Sequence, residues 1–383
     1  MSLHSIKILT VTAITYLAIT PLIVQAENWS DKLVISGFAS ADYHKTDEPL
    51  PFNGEAGEGH DDQGSFAGTR FGINFNATIN EQFKFAGQLF ATKEEDNYAT
   101  HVDWAFGTLK LTDSLDLRAG KLKFPVGLVN EYIDVGYAYP WMHAPTSFYS
   151  EAGANLNGPQ VTREAYSGAS LLWKVELGDW ETEFDLFMGE VNLEGTNVRK
   201  LMGLVVNLNL DEEIFIELAT YEGNMQNVEL EGAALSSGSG SAWENMLFNM
   251  QGNMQGADHS VDSLGIKYDS NNILFMYELA NVTMGQLTAM EATAWYTTLG
   301  YRMGKFMPHV TFENYEQGDG SGAFDDDQDT VTLGLRWDYV SNVAIKFELS
   351  QIKLNQGNGL FGYENNPKDD TINMIGIGID TVF

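Results

Sequence analysis

Polar and apolar positions alternate with period two along most of this chain. From Arg70 to Ile79, the residues Phe71, Ile73, Phe75, Ala77 and Ile79 share one face, and Arg70, Gly72, Asn74, Asn76 and Thr78 the other. That is the signature of a strand with one apolar and one polar side. From Trp180 to Met188 the split is sharper, since Glu181, Glu183 and Asp185 fall together opposite Trp180, Thr182, Phe184, Leu186 and Met188. The alternation returns at Val331–Tyr339, at Val343–Leu349 and at the C-terminus, where Ile375, Ile377, Ile379, Thr381 and Phe383 share a face.

Short turns at Asn80-Glu81, Asp113-Ser114, Gly178-Asp179, Asp211 to Glu213, Asp269 to Asn272, Gly304-Lys305 and Ser341-Asn342 alternate with longer connections. The latter are His44 to Gly68, Asp96 to Thr100, Pro125 to Glu164, Gly189 to Thr196, Gly223 to Ser260, Thr283 to Glu291, Glu316 to Asp329 and Asn355 to Asp370. This rhythm predicts an up-and-down meander with its long loops on one rim. Sixteen strands are predicted: Lys32–Tyr43, Thr69–Ile79, Phe83–Lys93, His101–Thr112, Leu115–Phe124, Ala165–Leu177, Trp180–Met188, Val198–Leu210, Ile214–Tyr221, Val261–Tyr268, Ile273–Val282, Ala292–Arg302, Phe306–Tyr315, Thr330–Tyr339, Val343–Leu354 and Thr371–Phe383.

Sixteen strands close into a barrel too wide for side chains to fill. The polar face therefore lines water and the apolar face is left for lipid, which a closed barrel can cross without an unpaired backbone edge. The expected fold is all-β, a 16-stranded antiparallel transmembrane β-barrel. Tyr43, Trp180, Tyr268, Tyr301, Phe306, Tyr315, Tyr339 and Phe383 stand near predicted strand ends, where an interfacial girdle places them. The general preference of strands for aromatics gives the same placement.

Charge and composition remove other classes. With 53 acidic against 21 basic residues and a net charge of −32, the chain repels phosphate backbones, so no nucleic-acid partner is expected. The absence of cysteine excludes thiolate nucleophiles, Cys-ligated zinc and disulfide scaffolds. Residues 1–26 carry Lys7, an apolar stretch from Ile8 to Val24 and the small-residue end Val24-Gln25-Ala26, the pattern of a cleaved secretory signal. The alternative is a membrane anchor, which Thr10, Thr12, Thr15, Thr20 and Pro21 weaken. The barrel domain is then 27–383.

Three segments resemble the 16-stranded trimeric porins of the Gram-negative outer membrane. The chain ends on Phe383 with alternating Thr381, Ile379 and Ile377, similar to the terminal signal read by the barrel-insertion machinery. Leu33-Val34-Ile35-Ser36-Gly37-Phe38-Ala39 resembles the first strand of the family, and Leu117 to Gly127 followed by Glu131 to Pro140 its fifth strand and third long loop. The resemblance implies short periplasmic turns, long extracellular loops and a third loop, 125–164, inserted into the lumen. It further implies a homotrimer in the outer membrane, in contact with lipid and lipopolysaccharide, that passes small polar solutes and ions. The loop's own residues agree with insertion, since Tyr132, Ile133, Val135, Tyr137, Tyr139, Trp141 and Phe148 are too apolar to wave in water. A position over a neighbouring subunit, or as a flap, would bury them as well.

In such a channel wall cations face loop carboxylates across the narrowest point. By parity Arg70, Lys84 and Arg118 face the lumen as wall candidates, and the loop offers Glu131 and Asp134. Ion pairs that merely neutralise one another are the competing reading. Arg302 and Arg336 also face inward, whereas Lys121 and Lys123 have the opposite parity to Arg118 and point away unless a bulge intervenes. The acidic excess predicts mild cation selectivity. No cofactor is expected, though the acid clusters Asp61-Asp62, Asp325 to Asp329 and Asp369-Asp370 admit a loop-bound Ca2+. Met246, Met250 and Met254 recur at helical spacing, as in a short amphipathic helix. No H-E-x-x-H or G-x-S-x-G motif marks an enzyme. The alternatives to a general channel are a substrate-specific, saturable one and a barrel adhesin.

Overall fold

The computed structural model describes residues 32–383 apart from 49, 51, 53–63, 67, 95–96, 151–160, 163–164, 194–195, 230–238, 286, 321–324, 362–366 and 368. The predicted signal segment, residues 1–26, and Asp61-Asp62 lie outside the described residues. The strands are β1 (Leu33–Thr46), β2 (Arg70–Thr78), β3 (Phe83–Glu94), β4 (Asn97–Lys110), β5 (Leu115–Lys123), β6 (Ala165–Leu177), β7 (Trp180–Leu193) and β8 (Thr196–Leu210). They continue as β9 (Ile214–Gln226), β10 (Asp258–Ser270), β11 (Ile273–Thr283), β12 (Ala292–Tyr301), β13 (Phe306–Gln317), β14 (Asp326–Val340), β15 (Val343–Gln356) and β16 (Thr371–Val382). Each pairs antiparallel with its neighbours in sequence, and β1 pairs with β16 to close the barrel. Every predicted strand is present.

The differences fall on the long-loop rim. The predicted loops at Asp96 to Thr100 and Gly189 to Thr196 are largely strand, because β4 begins at Asn97 and β7 runs to Leu193. Register shifts beside Asp103 and Glu190 explain the error. A bulge adds a residue and flips the parity, so a period-two reading loses the strand where its ladder in fact continues. On the opposite rim the turns are tight. At Asn271-Asn272 both residues take positive φ, 51° and 66°, as a two-residue hairpin turn of matching twist requires.

Leu89, Val102, Leu186, Leu218, Leu299, Leu333, Leu349 and Ile377 are exposed on the outer wall, an apolar belt that lipid and not water satisfies. Tyr301, Phe306, Tyr339 and Phe383 are exposed near the short-turn rim, as a girdle demands. Tyr315 is the exception. It is wholly buried on the lumenal side and belongs to no girdle. The C-terminal residue completes the seam: Phe383 and Gly37 exchange backbone hydrogen bonds of 2.8 and 2.9 Å, and the Phe383 ring stacks on Phe71.

Above the long-loop rim, α1 (Ala242–Met254) starts in a Ser241–Glu244 capping box. It seats Met250 and Met254 against Met225, Met284 and Met290, so these two methionines of the stripe are packing, and the Met246 side chain lies outside the described residues. The Asp325–Asp329 cluster fastens its own loop. Asp326 accepts from the Asn358 and Gly359 amides, while the side chains of Asn314 and Asn355 bridge Asp327 and Asp329. Among the described residues no group of three or more His, Cys, Asp or Glu side chains is placed to hold a metal ion.

Candidate functional site

Beyond β5 the chain turns inward, and residues 125–149 fold inside the barrel through short 3-10 turns at Asn130–Tyr132 and Gly136–Ala138. Tyr139, Trp141 and Phe148 are buried there, so the lumen is where these rings pack. Phe124, at the point of entry, meets Tyr166, Phe187 and Tyr221 edge-on, and the Trp141 indole N–H donates to Thr298 and Thr311 across the lumen. The core of this molecule therefore lies inside its barrel, between loop and wall.

Polar wall residues hold the loop by its backbone. One carboxylate on each of β9, β11, β13 and β15 accepts a loop N–H: Glu217 from Gly127 at 2.7 Å, Glu278 from Leu128 at 2.8 Å, Glu313 from Ser147 at 3.2 Å and Glu348 from Met142 at 2.9 Å. Glu278 also accepts the hydroxyls of Tyr149 and Tyr296. Two cations hold carbonyls: Arg336 binds those of Tyr137 and Tyr139, and Lys346, paired with Asp380, binds those of Gly136 and Trp141. The chain passes close to the wall at Gly136, where a Cβ would crowd the Asp380 carboxylate and the Ser40 hydroxyl. Of these clamps, sequence reasoning reached the inward, polar-face parity of Arg336, Lys346 and Glu348, but not their hold on the loop.

The predicted constriction residues divide. Arg70 and Asp134 meet, but through the backbone: the guanidinium donates to the Asp134 carbonyl at 2.9 Å and to the Tyr139 hydroxyl at 2.8 Å. The Asp134 carboxylate instead binds Lys123 at 2.6 Å, and Lys123 also binds Asp103 at 2.9 Å. Gln88 donates to Asp103 and to Asp134. Burial alone would raise the Asp134 pKa, but the cations of Lys123 and Arg70 outweigh it and hold the carboxyl below its ordinary value.

Lys123 corrects the parity argument. Asp103 is the bulged residue of β4, and β5 pairs with β4 only up to Lys121. Where the strands part, Lys123 reaches inward, while Lys121 stays on the outer parity and donates to the Val102 carbonyl. Lys84 faces the lumen but stands four residues below Gln88, about 13 Å along the strand, and is exposed away from the loop.

Arg118 and Glu131, the remaining wall and loop candidates, make no direct contact with each other. Arg118 is held on the wall by Ser170 and Asp185. Glu131 is exposed on the loop and lies within the field of Arg118, Asp185 and Glu183. Enclosure by the walls pushes the Glu131 pKa up, Arg118 pulls it down, and Asp185 and Glu183 add to the rise.

No protein-family model and no curated protein matches this sequence. Solved structures do match in shape. OmpT of Vibrio cholerae, outer-membrane expressed, superposes with a TM-score of 0.58 at 14% identity, over 92% of this chain and 97% of that one. OmpF of Salmonella typhi, in complex with daunomycin, gives 0.60 at 14% identity over 92% and 97%. An anion-selective porin from Comamonas acidovorans gives 0.60 at 12% identity over 92% and 99%. At such identities the likeness is one of fold, and the closed ladder of sixteen antiparallel strands around an inserted loop is the fold of the Gram-negative outer-membrane porins.

Proposed function

We propose that this chain is an outer-membrane diffusion channel for small hydrophilic solutes and ions, mildly cation-selective. The carrying observation is the loop 125–149 clamped inside a polar-lined barrel by Glu217, Glu278, Glu313 and Glu348. On this reading residues 1–26 direct export and are removed, the terminal strand ending at Phe383 is the assembly signal, and the long loops meet lipopolysaccharide. Counter-ions gather where carboxylates focus the field, which favours cations.

Single-channel recording of the refolded mature chain under a salt gradient tests this. Stepwise, unsaturated conductance with a cation-favouring reversal potential is expected, and Glu131→Gln should reduce that preference. Because its pKa is raised, Glu131 loses charge at a higher pH than an ordinary carboxylate. The native channel should therefore begin to shed cation preference at a higher pH than ordinary carboxylates would dictate, and the variant should do so less. Absence of any conductance would overturn the reading in favour of an adhesin, whereas small saturable steps would favour a specific channel.

The reading includes a homotrimer. Ala39, Ala41, Ala91 and Thr69 line an outer-wall apolar groove of 460 Å3 bounded by Phe71 and Ile379, where small residues let a second barrel approach. Ala41→Trp should convert the species on a native gel to monomer, and an unchanged mobility would place the contact elsewhere.

A further inference from the structure

On the short-turn side of the inserted loop lies a cavity of 270 Å3 that neither Arg118 nor Glu131 lines. Its apolar side is Val129, Leu274, Met276 and Met307, with the rings of Tyr132 and Tyr137 from the loop; its polar side is Lys267, Asp269, Arg302, Arg336 and Asp338. Three cations stand against two carboxylates there. Arg302 is bidentate to Asp269, at 2.5 and 2.9 Å. Arg336 binds Asp338 at 2.8 Å and is stacked over the Tyr137 ring at 4.8 Å. Both arginines are thus satisfied and fixed. Lys267 makes no ion pair or hydrogen bond among the described residues and is the uncompensated charge, and the Tyr132 hydroxyl is also without a partner.

We infer that this cavity is a binding site for a monocarboxylate with a single ring or a short apolar body, entering from the short-turn side. The carboxylate meets Lys267, with the Tyr132 hydroxyl as a second donor, and the body lies on Leu274, Met276 and Met307. Size and charge both select. The volume is at the lower edge of small-molecule sites, about 300–1,000 Å3, which leaves room for one ring. One free cation matches one negative charge, and Asp269 and Asp338 repel a second. The rigid arginine pairs keep the pocket formed without the ligand, so little ordering opposes binding. In a chain of net charge −32 such a site gives one class of anion a foothold that bulk electrostatics denies it.

The site rests on the channel reading for its place in a transport route, and binding itself does not. The test therefore uses two readouts on the refolded full barrel. In planar bilayers, benzoate added on the short-turn side should block current saturably, while benzylamine and benzamide should not. In detergent micelles, saturation-transfer NMR should show benzoate bound. Lys267→Gln should weaken both effects roughly tenfold, the loss of one charged hydrogen bond, and Lys267→Arg should keep them. Equal responses to benzoate and benzylamine, or an undiminished response in Lys267→Gln, would overturn the site. Benzoate binding by NMR without conductance would uphold the site and sink the channel reading.

Discussion

Replacing Lys123 with Met destabilises the barrel by about 3–5 kcal/mol at neutral pH, the cost of stripping the cation from a buried ion pair. Asp103 has no exposed side-chain surface, Asp134 has 11%, and Lys123 binds both with 8% of its own surface exposed. Without it two buried carboxylates share Gln88 and the field of Arg70. Acid should narrow the deficit. In the native protein the Asp134 pKa is depressed, so its stabilisation is complete above the ordinary carboxylate value of about 3.9 and fades as pH falls through the depressed one. In Lys123→Met the main depressing cation is gone and burial weighs more, so Asp134 of the variant takes up its proton at higher pH and part of the penalty lifts. Thermal unfolding of the refolded barrel at pH 7 and pH 4 measures this. A gap between native and variant that is wide at pH 7 and small at pH 4 is the expected result, and adding Asp103→Asn to the variant should restore part of the loss. Identical melting at pH 7 would mean that this triad does not hold the loop.

Lys123 also shows where sequence stops being legible. Strands such as β2 and β7 are readable because lipid and water impose opposite demands on alternate residues, and one face of Trp180–Met188 cannot be mistaken for the other. That the rings of loop 125–149 must be buried is readable for the same reason, but that they are buried in the lumen is legible only through the porin resemblance. What fails is parity across an irregularity: the bulge at Asp103 and the early end of the β4–β5 ladder turn Lys123 inward, and neither leaves a mark in composition. Glu217, Glu278, Glu313 and Glu348 look like ordinary lumenal acids in sequence. Their partners are backbone amides far along the chain, Met142 and Glu348 being 206 positions apart, so only the closed barrel shows that they hold the loop. The acidic excess is thus partly structural, and the proposed cation preference would rest on exposed carboxylates such as Glu131, not on the total.

Glu278→Leu should loosen the loop and raise the open-channel noise. Its two oxygens serve three donors, the Leu128 amide at 2.8 Å and the hydroxyls of Tyr149 and Tyr296 at 2.5 Å each. All are buried, so leucine leaves three unsatisfied donors, each costing about 1–3 kcal/mol where no water replaces the acceptor. The disturbance spreads, because the Tyr149 hydroxyl in turn accepts the Val129 amide at 3.1 Å. Segment 127–129 would lose its hold on β11, and this segment leads directly to Asn130–Tyr132, the turn that carries Glu131. Glu278→Gln discriminates the cause. Its carbonyl oxygen can still accept from Leu128, and its amide can donate to the tyrosine hydroxyls once they rotate, so most of the network survives. Recordings of both variants, with their melting temperatures, should show large current fluctuations and lowered stability in Glu278→Leu and near-native behaviour in Glu278→Gln. Quiet channels in Glu278→Leu would assign the loop's rigidity to Glu217, Glu313 and Glu348, and equal damage in both variants would mean that the negative charge, and not the count of acceptors, fixes the loop.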